Sequence, residues 1–242
     1  RNSRPTHLFF KMLSIIIPTL NEEKYLPKLL ESIKKQSFRD YEIIVADFNS
    51  KDKTRQIARK YNYRIAKGGL PTVARNNGAK VAKGDILFFI DADCIIKKSF
   101  LEKSLHEMKN KNIDVAGCYA RPISGRISDN VMFSLFNLWI YATQFFYPNA
   151  AYSIFCKKEL HRKIRGFNEN ITLSEDMDYV KRAGKHGKFR ILKSVKIYAS
   201  VRRFDEEGRL KLIIKLLLSG VYRVFFGEIK TDMFKYRFGH KK

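Results

Sequence analysis

Two aspartates, Asp91 and Asp93, stand directly after the apolar run "ILFFI" and are separated by a single alanine. On an extended chain successive side chains point to opposite faces, so the two carboxylates face one way and Ala92 faces the other. Two carboxylates held side by side repel each other unless a cation lies between them. Hard divalent cations prefer oxygen ligands, so the tripeptide predicts a metal site at the end of a strand.

Polar residues also follow two earlier apolar runs of the chain. The residues from Thr19 to Glu22 come after "LSIIIP", and Asp47 closes "YEIIVAD". In open α/β sheets, ligands bind beyond the carboxyl ends of the strands. We therefore expect these residues and the aspartate pair to converge on one crevice.

The elements that must position these residues alternate between strand and helix over the first 95 residues. Leu26, Leu29, Leu30 and Ile33, for example, recur at the spacing of one helix face. The strand-like runs are continuously apolar, which is typical of a parallel sheet covered by helices on both faces. Neither G-x-G-x-x-G nor G-x-x-x-x-G-K-[ST] occurs, which argues against a dinucleotide-binding or P-loop protein.

The charge balance is strongly basic, with 48 lysines and arginines against 24 acids and a net charge of +24 over 242 residues. A surplus of this size indicates an anionic partner, either nucleic acid, anionic lipid or a phosphorylated substrate. The basic residues are spread along the chain without a nucleic-acid-binding motif, so nucleic acid is not expected. The three scattered cysteines predict reduced thiols in a cytoplasmic setting.

The second half of the chain contains two apolar segments whose role the sequence leaves open. Residues Val131–Cys156 include no charged residue, but Asn137, Gln144 and Pro148 interrupt them as a membrane span. They are predicted to form a buried helix, a groove for an acceptor or a membrane-interface segment. A later stripe from Leu210 to Val221 predicts an amphipathic helix that either packs as a closing helix or lies in a membrane interface.

The predicted organisation is one main domain with an appendage at each end. Met12 begins a clean strand, so residues 1–11 are predicted to be an upstream extension, native or left over from cloning. The catalytic domain is expected over residues 12–206. Residues 207–242 are expected to form the C-terminal amphipathic helical segment.

Four stretches together resemble glycosyltransferase family 2, the inverting enzymes with a GT-A fold. They are "LSIIIPTLNEE", "DFNSKDKT", "ARNNGAKVAKGDILFFIDAD" and "SEDMDY", and the likeness covers roughly Leu13 to Phe204. The resemblance implies an α/β GT-A fold, a Rossmann-like and mostly parallel sheet with helices on both faces. Each stretch alone is weak, but the four occur in the order and at the intervals of the family.

The resemblance also implies roles for the acidic residues. Asp91 and Asp93 match the family's D-x-D, which holds Mg²⁺ or Mn²⁺ against the donor diphosphate, with Asp93 the direct ligand and Asp91 shared with the ribose. Asp176 matches the general base that removes a proton from the acceptor hydroxyl, with Glu175 as its catalytic neighbour. The alternative for this last pair is a helix start capped by Ser174.

The remaining matches are implied to bind the nucleotide-sugar. They are Pro18, Thr19, Glu22, Asp47, Arg75, Arg202 and Arg203, together with Asp91. Ordinary turn acids and basic surface residues are the alternative for each. Phe48 departs from the family, because many relatives carry a second acid after the position of Asp47.

The expected function is transfer of a sugar from a UDP- or GDP-sugar to a hydroxyl on a glycan, lipid or small molecule. A polyprenyl-phosphate sugar synthase is the alternative, although a phosphate acceptor needs no base and Ile95 stands where those enzymes often carry a polar residue. An alternative of another class is a basic nucleic-acid- or membrane-binding protein without catalysis. The expected location is the cytoplasm, peripheral on the inner face of the cell membrane.

Overall fold

The structure is a computed structural model that describes residues 12–231. In chain order the strands are β1 (Leu13–Thr19), β2 (Tyr41–Asp47), β3 (Arg64–Lys67), β4 (Ile86–Ile90), β5 (Cys94–Ile96), β6 (Val115–Ile123), β7 (Ser153–Lys157) and β8 (Phe189–Ser200). The helices are α1 (Leu26–Lys34), α2 (Thr54–Lys60), α3 (Pro71–Val81), α4 (Phe100–Asn110), α5 (Ile127–Thr143), α6 (Lys158–Lys163), α7 (Glu175–Gly184), α8 (Arg202–Glu207) and α9 (Arg209–Phe226).

These strands form one eight-stranded sheet in the order β3-β2-β1-β4-β7-β6-β8-β5. The first four pair in parallel, as do β6 and β8, whereas β7 runs antiparallel between β4 and β6. Helices cover both faces: α1, α2 and α4 pack on one, and α3, α6 and α7 on the other. The predicted α/β GT-A architecture with a mostly parallel sheet is therefore confirmed.

The connection between β4 and β5 requires the sheet to curl. The two strands are four places apart in the sheet, which on a flat sheet is about 19 Å at the usual strand spacing. Only Asp91-Ala92-Asp93 joins them, and so short a link reaches about 14 Å when fully extended. The sheet closes this gap by curling, which brings Asp93 to the end of β8, where its carbonyl accepts a hydrogen bond from the amide of Ser200 at 3.1 Å.

The uncharged segment Val131–Cys156 divides into two elements. It supplies most of α5 and then the first four residues of β7, which are uncharged because they are buried in the middle of the sheet. The C-terminal stripe lies on α9, with much of it exposed to solvent. Among residues 12–231, no helix has the length and apolar character needed to cross a bilayer. The predicted extension 1–11 and the end of the predicted C-terminal segment, 232–242, lie outside the described residues.

Candidate active site

The carboxyl ends of β1 and β2 lie side by side, because Thr19 stands opposite Asp47 in their parallel register. The Thr19 hydroxyl donates to Asp47 Oδ2 at 3.1 Å, and both residues are buried. Pro18, one residue earlier, is half-buried. Gly68 packs directly against this edge, since a Cβ on it would stand 2.2 Å from the Asp47 carbonyl carbon. The edge therefore presents one firmly held carboxylate, that of Asp47.

The loop after β2 folds back onto this carboxylate. The Ser50 amide donates to Asp47 Oδ1 at 3.1 Å, the Ser50 hydroxyl donates to Oδ2, and Arg55 Nε lies 3.7 Å from Oδ1. Phe48 points outward and is 41% exposed. Sequence reasoning missed the contribution of Ser50, although this serine lies within the quoted stretch "DFNSKDKT".

Arg202 joins the end of β1 to the aspartate pair. Its guanidinium donates to both oxygens of Glu22 at 2.7 and 2.8 Å, and its Nε lies 3.0 Å from Asp93 Oδ2. The guanidinium also lies over the Tyr25 ring, 4.9 Å from its centroid. A two-point contact of this kind is the strong form of an arginine–carboxylate pair. Residues from opposite ends of the domain therefore meet at one point.

Crowding of negative charge at this point shifts the pKa of Asp93. Burial, reinforced by the nearby charges of Asp91 and Glu22, raises its pKa to about 6, although Arg202 and Arg203 act in the opposite direction. Burial likewise raises the pKa of Glu22. Three carboxylates, those of Glu22, Asp91 and Asp93, therefore crowd one point, and a further cation there would relieve their mutual repulsion.

Arg75 makes the second link across the site. From the middle of α3 it donates to Asp91 Oδ1 at 2.9 Å and to Glu175 Oε1 at 2.7 Å, and it is almost fully buried. Its guanidinium lies 5.4 Å from the centroid of the Phe167 ring. Asn76 in turn fixes Phe167 through both its backbone amide and its backbone carbonyl, at 2.8 and 2.9 Å. Sequence reasoning did not assign Phe167 or Asn76.

Asp176 lies in the first turn of α7, next to Glu175. Enclosure by the surrounding protein and the charge of Glu175 raise its pKa to about 7, whereas Arg75, the Met177 amide and Arg223 act to lower it. The Met177 amide donates to Asp176 Oδ1 at 2.8 Å. A carboxylate with a pKa near neutrality can accept a proton during a reaction and release it afterwards.

The start of α7 differs from an ordinary capped helix. Ser174 has a positive φ of 61°, which is uncommon for a residue other than glycine. Within residues 12–231 its side chain makes no capping hydrogen bond to α7. The side-chain cap expected in that alternative is therefore absent, although the acids that follow do lie in the first turn of α7, where negative charge suits the helix dipole.

Arg203 lies at the same edge as the aspartate pair. Its charge acts on the carboxyl group of Asp93 and on the buried phenol of Tyr152. The backbone of Tyr152 is also part of the site, because its carbonyl accepts a hydrogen bond from the Asp91 amide at 3.1 Å. The chain between α5 and β7 thus reaches the aspartate pair. The structure brings every residue predicted for the site to one edge of the sheet.

The aspartate pair offers a divalent cation few protein ligands. Over residues 12–231, no group of three or more histidine, cysteine, aspartate or glutamate side chains is arranged to hold a metal ion. Mg²⁺ is commonly held by one or two carboxylates together with substrate phosphates and water. Asp91 and Asp93, with the negative charge that remains around them, fit a cation of that kind.

Two open cavities lie along α5 and away from the aspartate pair. One of about 420 Å³ lies between α5 and the strands β6 and β8, lined by polar and aromatic side chains that include Tyr119, Asn137 and Tyr141. A shallower one of about 410 Å³ follows the outer face of α5, along Val131 and Leu135.

Comparison with known proteins gives this geometry its context. Residues 14–167 match Glycosyl transferase family 2. The GalNAc(5)-diNAcBac-PP-undecaprenol beta-1,3-glucosyltransferase of Campylobacter jejuni is 30% identical over 240 residues, which cover 90% of this chain and 72% of that protein. The poly(ribitol-phosphate) beta-N-acetylglucosaminyltransferase TarS of Staphylococcus aureus is 33% identical over 130 residues, which are 50% of this chain but 23% of TarS.

Solved structures agree with these matches. TarS 1-349 in complex with UDP-GlcNAc superimposes with a TM-score of 0.65 at 27% identity, over 78% of this chain and 58% of that one. The α/β fold and the carboxylate-lined edge agree with these likenesses. The chain belongs to glycosyltransferase family 2.

Proposed function

We propose that the chain moves a sugar from a nucleotide diphosphate to a hydroxyl group of a glycan acceptor, with inversion at the anomeric carbon. The observation that carries the proposal is the position of Arg75, which contacts Asp91 on one side and Glu175 on the other. It holds the aspartate pair next to the start of α7, where Asp176 lies. Transfer needs groups for the donor diphosphate and a base for the attacking hydroxyl close together.

The donor side of the site has separate groups for the nucleoside and for the diphosphate. Asp47 and Thr19, with Pro18 beside them, are assigned to the nucleoside. Arg202 and Arg203 are assigned to the diphosphate, because guanidinium groups suit phosphate oxygens. A UDP-sugar is the donor that we favour over a GDP-sugar, since the TarS structure similar to this chain holds UDP-GlcNAc.

Asp91 and Asp93 would hold a divalent cation, Mg²⁺ or Mn²⁺. Such a cation, when bound, neutralises charge on the leaving diphosphate and so makes it a better leaving group. Glu22 holds Arg202 beside Asp93 through its two-point contact. The arginine therefore stays next to the carboxylates that the diphosphate would approach.

Asp176 is assigned as the base, with Glu175 holding Arg75 beside it. The base must take the proton from the acceptor hydroxyl as its oxygen attacks the face of the sugar opposite the diphosphate. A pKa near 7 lets the carboxylate do this at neutral pH. A glycan acceptor is supported by the Campylobacter jejuni relative, whose name describes a lipid-linked glycan.

Calorimetric titration with UDP, GDP and their sugar conjugates tests the donor, with and without Mn²⁺. We expect one nucleotide to bind more tightly when Mn²⁺ is present, and Asp93→Ala to remove that gain. Asp176→Asn should bind the donor unchanged. In an assay in which water replaces the acceptor, Asp176→Asn should lower the rate of hydrolysis of the nucleotide-sugar by a factor of about 10²–10⁴.

The matched control is Asp40→Asn, which changes an exposed aspartate just before β2, at the opposite end of that strand from Asp47. This variant should behave as the unaltered protein in both assays. Failure of all four ligands to bind in either condition would remove the donor assignment. Full activity in Asp176→Asn would remove the base.

A further inference from the structure

The outer face of α5 is apolar and exposed along its whole length. Its exposed side chains recur every three or four residues and are Ile127, Val131, Leu135 and Leu138, with Leu135 62% exposed. The opposite face of the helix is buried and carries Asp129, Phe133 and Ile140. Apolar side chains are thus exposed on the very face that ordinary surface helices cover with charged residues.

Helix α9 shows the same arrangement. Its exposed apolar side chains include Leu210, Ile214, Leu217, Leu218, Val221 and Phe225, with Leu217 65% exposed. Leu212 and Ser219 lie on the buried side. The sequence left open whether this stripe packs as a closing helix, and the structure answers that most of it does not.

The two helices lie side by side. At their amino ends Arg209 donates to both oxygens of the buried Asp129, at 2.6 and 2.9 Å. At their carboxyl ends Arg223 lies within electrostatic range of Tyr147, just after α5. Helices of 17 and 18 residues are each about 26 Å long. Because the amino ends are linked to each other and the carboxyl ends lie near each other, the two helices run in the same direction.

The charge around these helices identifies what covers them. Arg209, Lys215 and Arg223 are paired with acids, but Lys193 lies 4.3 Å from the Tyr141 ring centroid and Arg190 lies 4.6 Å from that of Phe145. From residue 209 to 231 the sequence has five lysines and arginines against one acid. Basic groups beside an exposed apolar helix are typical of a helix that lies in the interface of an anionic membrane.

A second copy of the chain is the competing occupant, and charge disfavours it. Each copy has a net charge of +24, so bringing two such surfaces together would be opposed by repulsion. An anionic bilayer would instead attract the positively charged chain. It also accepts apolar side chains without needing a complementary shape.

We propose that the exposed faces of α5 and α9 form one docking surface for an anionic lipid bilayer. The apolar side chains enter the boundary between headgroups and acyl chains, while the basic residues beside them contact lipid phosphates. The surface uses none of the residues assigned to the donor, so its test is independent of the proposed transfer reaction.

Co-sedimentation with vesicles tests the surface, using the whole chain. We expect binding to vesicles of phosphatidylcholine with 30% phosphatidylglycerol and little binding to phosphatidylcholine alone. Added NaCl should weaken the binding because it screens the charges. Leu135→Glu on α5 and Leu217→Glu on α9 should each lower the partition coefficient at least tenfold.

Val81→Glu is the matched control, since Val81 is an apolar residue on α3 that is 38% exposed. It should leave vesicle binding unchanged, and all three variants should bind nucleotide as the unaltered protein does. Absence of vesicle binding would overturn the proposal, as would a loss in only one of the two test variants. A dimer in sedimentation equilibrium that both variants dissociate would identify a second copy as the occupant instead.

Discussion

Two arginines organise the site at the scale of single residues. Arg75 and Arg202 are each shared between two carboxylates, and the four acids come from the end of β1, the aspartate pair and the start of α7. With Arg203 beside them, three arginines face these four acids, so the edge keeps a small excess of negative charge. That balance suits the proposed binding of a divalent cation.

The pH dependence of transfer should report Asp176. Its pKa is raised to about 7, and a base acts only when ionised, so the rate should rise tenfold per pH unit below 7 and level off above it. The measurement is kcat/KM for the acceptor between pH 5 and 9. Asp176→Asn should lose this dependence, and a profile already flat from pH 5 upward would contradict the assignment.

Removal of Arg75 should destabilise the fold as well as the site. Arg75→Leu leaves Asp91 and Glu175 without their shared cation, which costs about 3 kcal/mol of unfolding free energy for a largely buried pair. Arg75→Lys cannot reach both acids, but it keeps the positive charge. Its loss of unfolding free energy should therefore be smaller than that of Arg75→Leu. Urea unfolding measures both variants. A loss below about 1 kcal/mol in Arg75→Leu would mean that the two acids find other partners.

At the scale of elements, the carboxyl end of β2 depends on a close backbone approach. A Cβ at Gly68 would stand 2.2 Å from the Asp47 carbonyl carbon, whereas one at Gly125 would meet nothing within 4 Å. Gly68→Ala should therefore lower the unfolding free energy by about 2 kcal/mol or more and weaken nucleotide binding by displacing Asp47. Gly125→Ala is the control and should change neither. Equal behaviour of the two variants in thermal unfolding and calorimetry would contradict this account.

The elements of the first half could be predicted because their signals are local. Apolar runs predicted β1, β2 and β4. The spacing of Leu26, Leu29, Leu30 and Ile33 predicted α1. The polar ends of those runs also indicated where the site would form. Parallel pairing then followed from the alternation of strand and helix.

Other features could not be predicted because they join distant segments. The antiparallel β7 is a short buried run at the end of an uncharged stretch. No local sequence pattern predicts that it lies between β4 and β6. The contacts of Arg75 with Glu175 and of Arg202 with Glu22 span 100 and 180 residues. Sequence patterns could name these four residues, but only the folded sheet shows which of them are partners.

At the scale of the whole molecule, the net charge of +24 should make stability depend on salt. Repulsion among like charges opposes the compact state, and screening relieves it. The thermal midpoint should therefore rise between 20 and 300 mM NaCl. Lys98→Glu with Lys103→Glu lowers the net charge from +24 to +20 and should flatten that rise, since both lysines are exposed. A midpoint that falls with salt would show that attractive pairs dominate.

The long separation between Glu22 and Arg202 has a consequence for biosynthesis. The two residues are 180 positions apart, and at the usual translation rate of about 5–20 residues per second the ribosome makes them about 10–40 s apart. Until Arg202 is made, Glu22 and then Asp93 lack the guanidinium that they contact in the folded chain. The nascent chain therefore completes the proposed donor site only after β8 has been made.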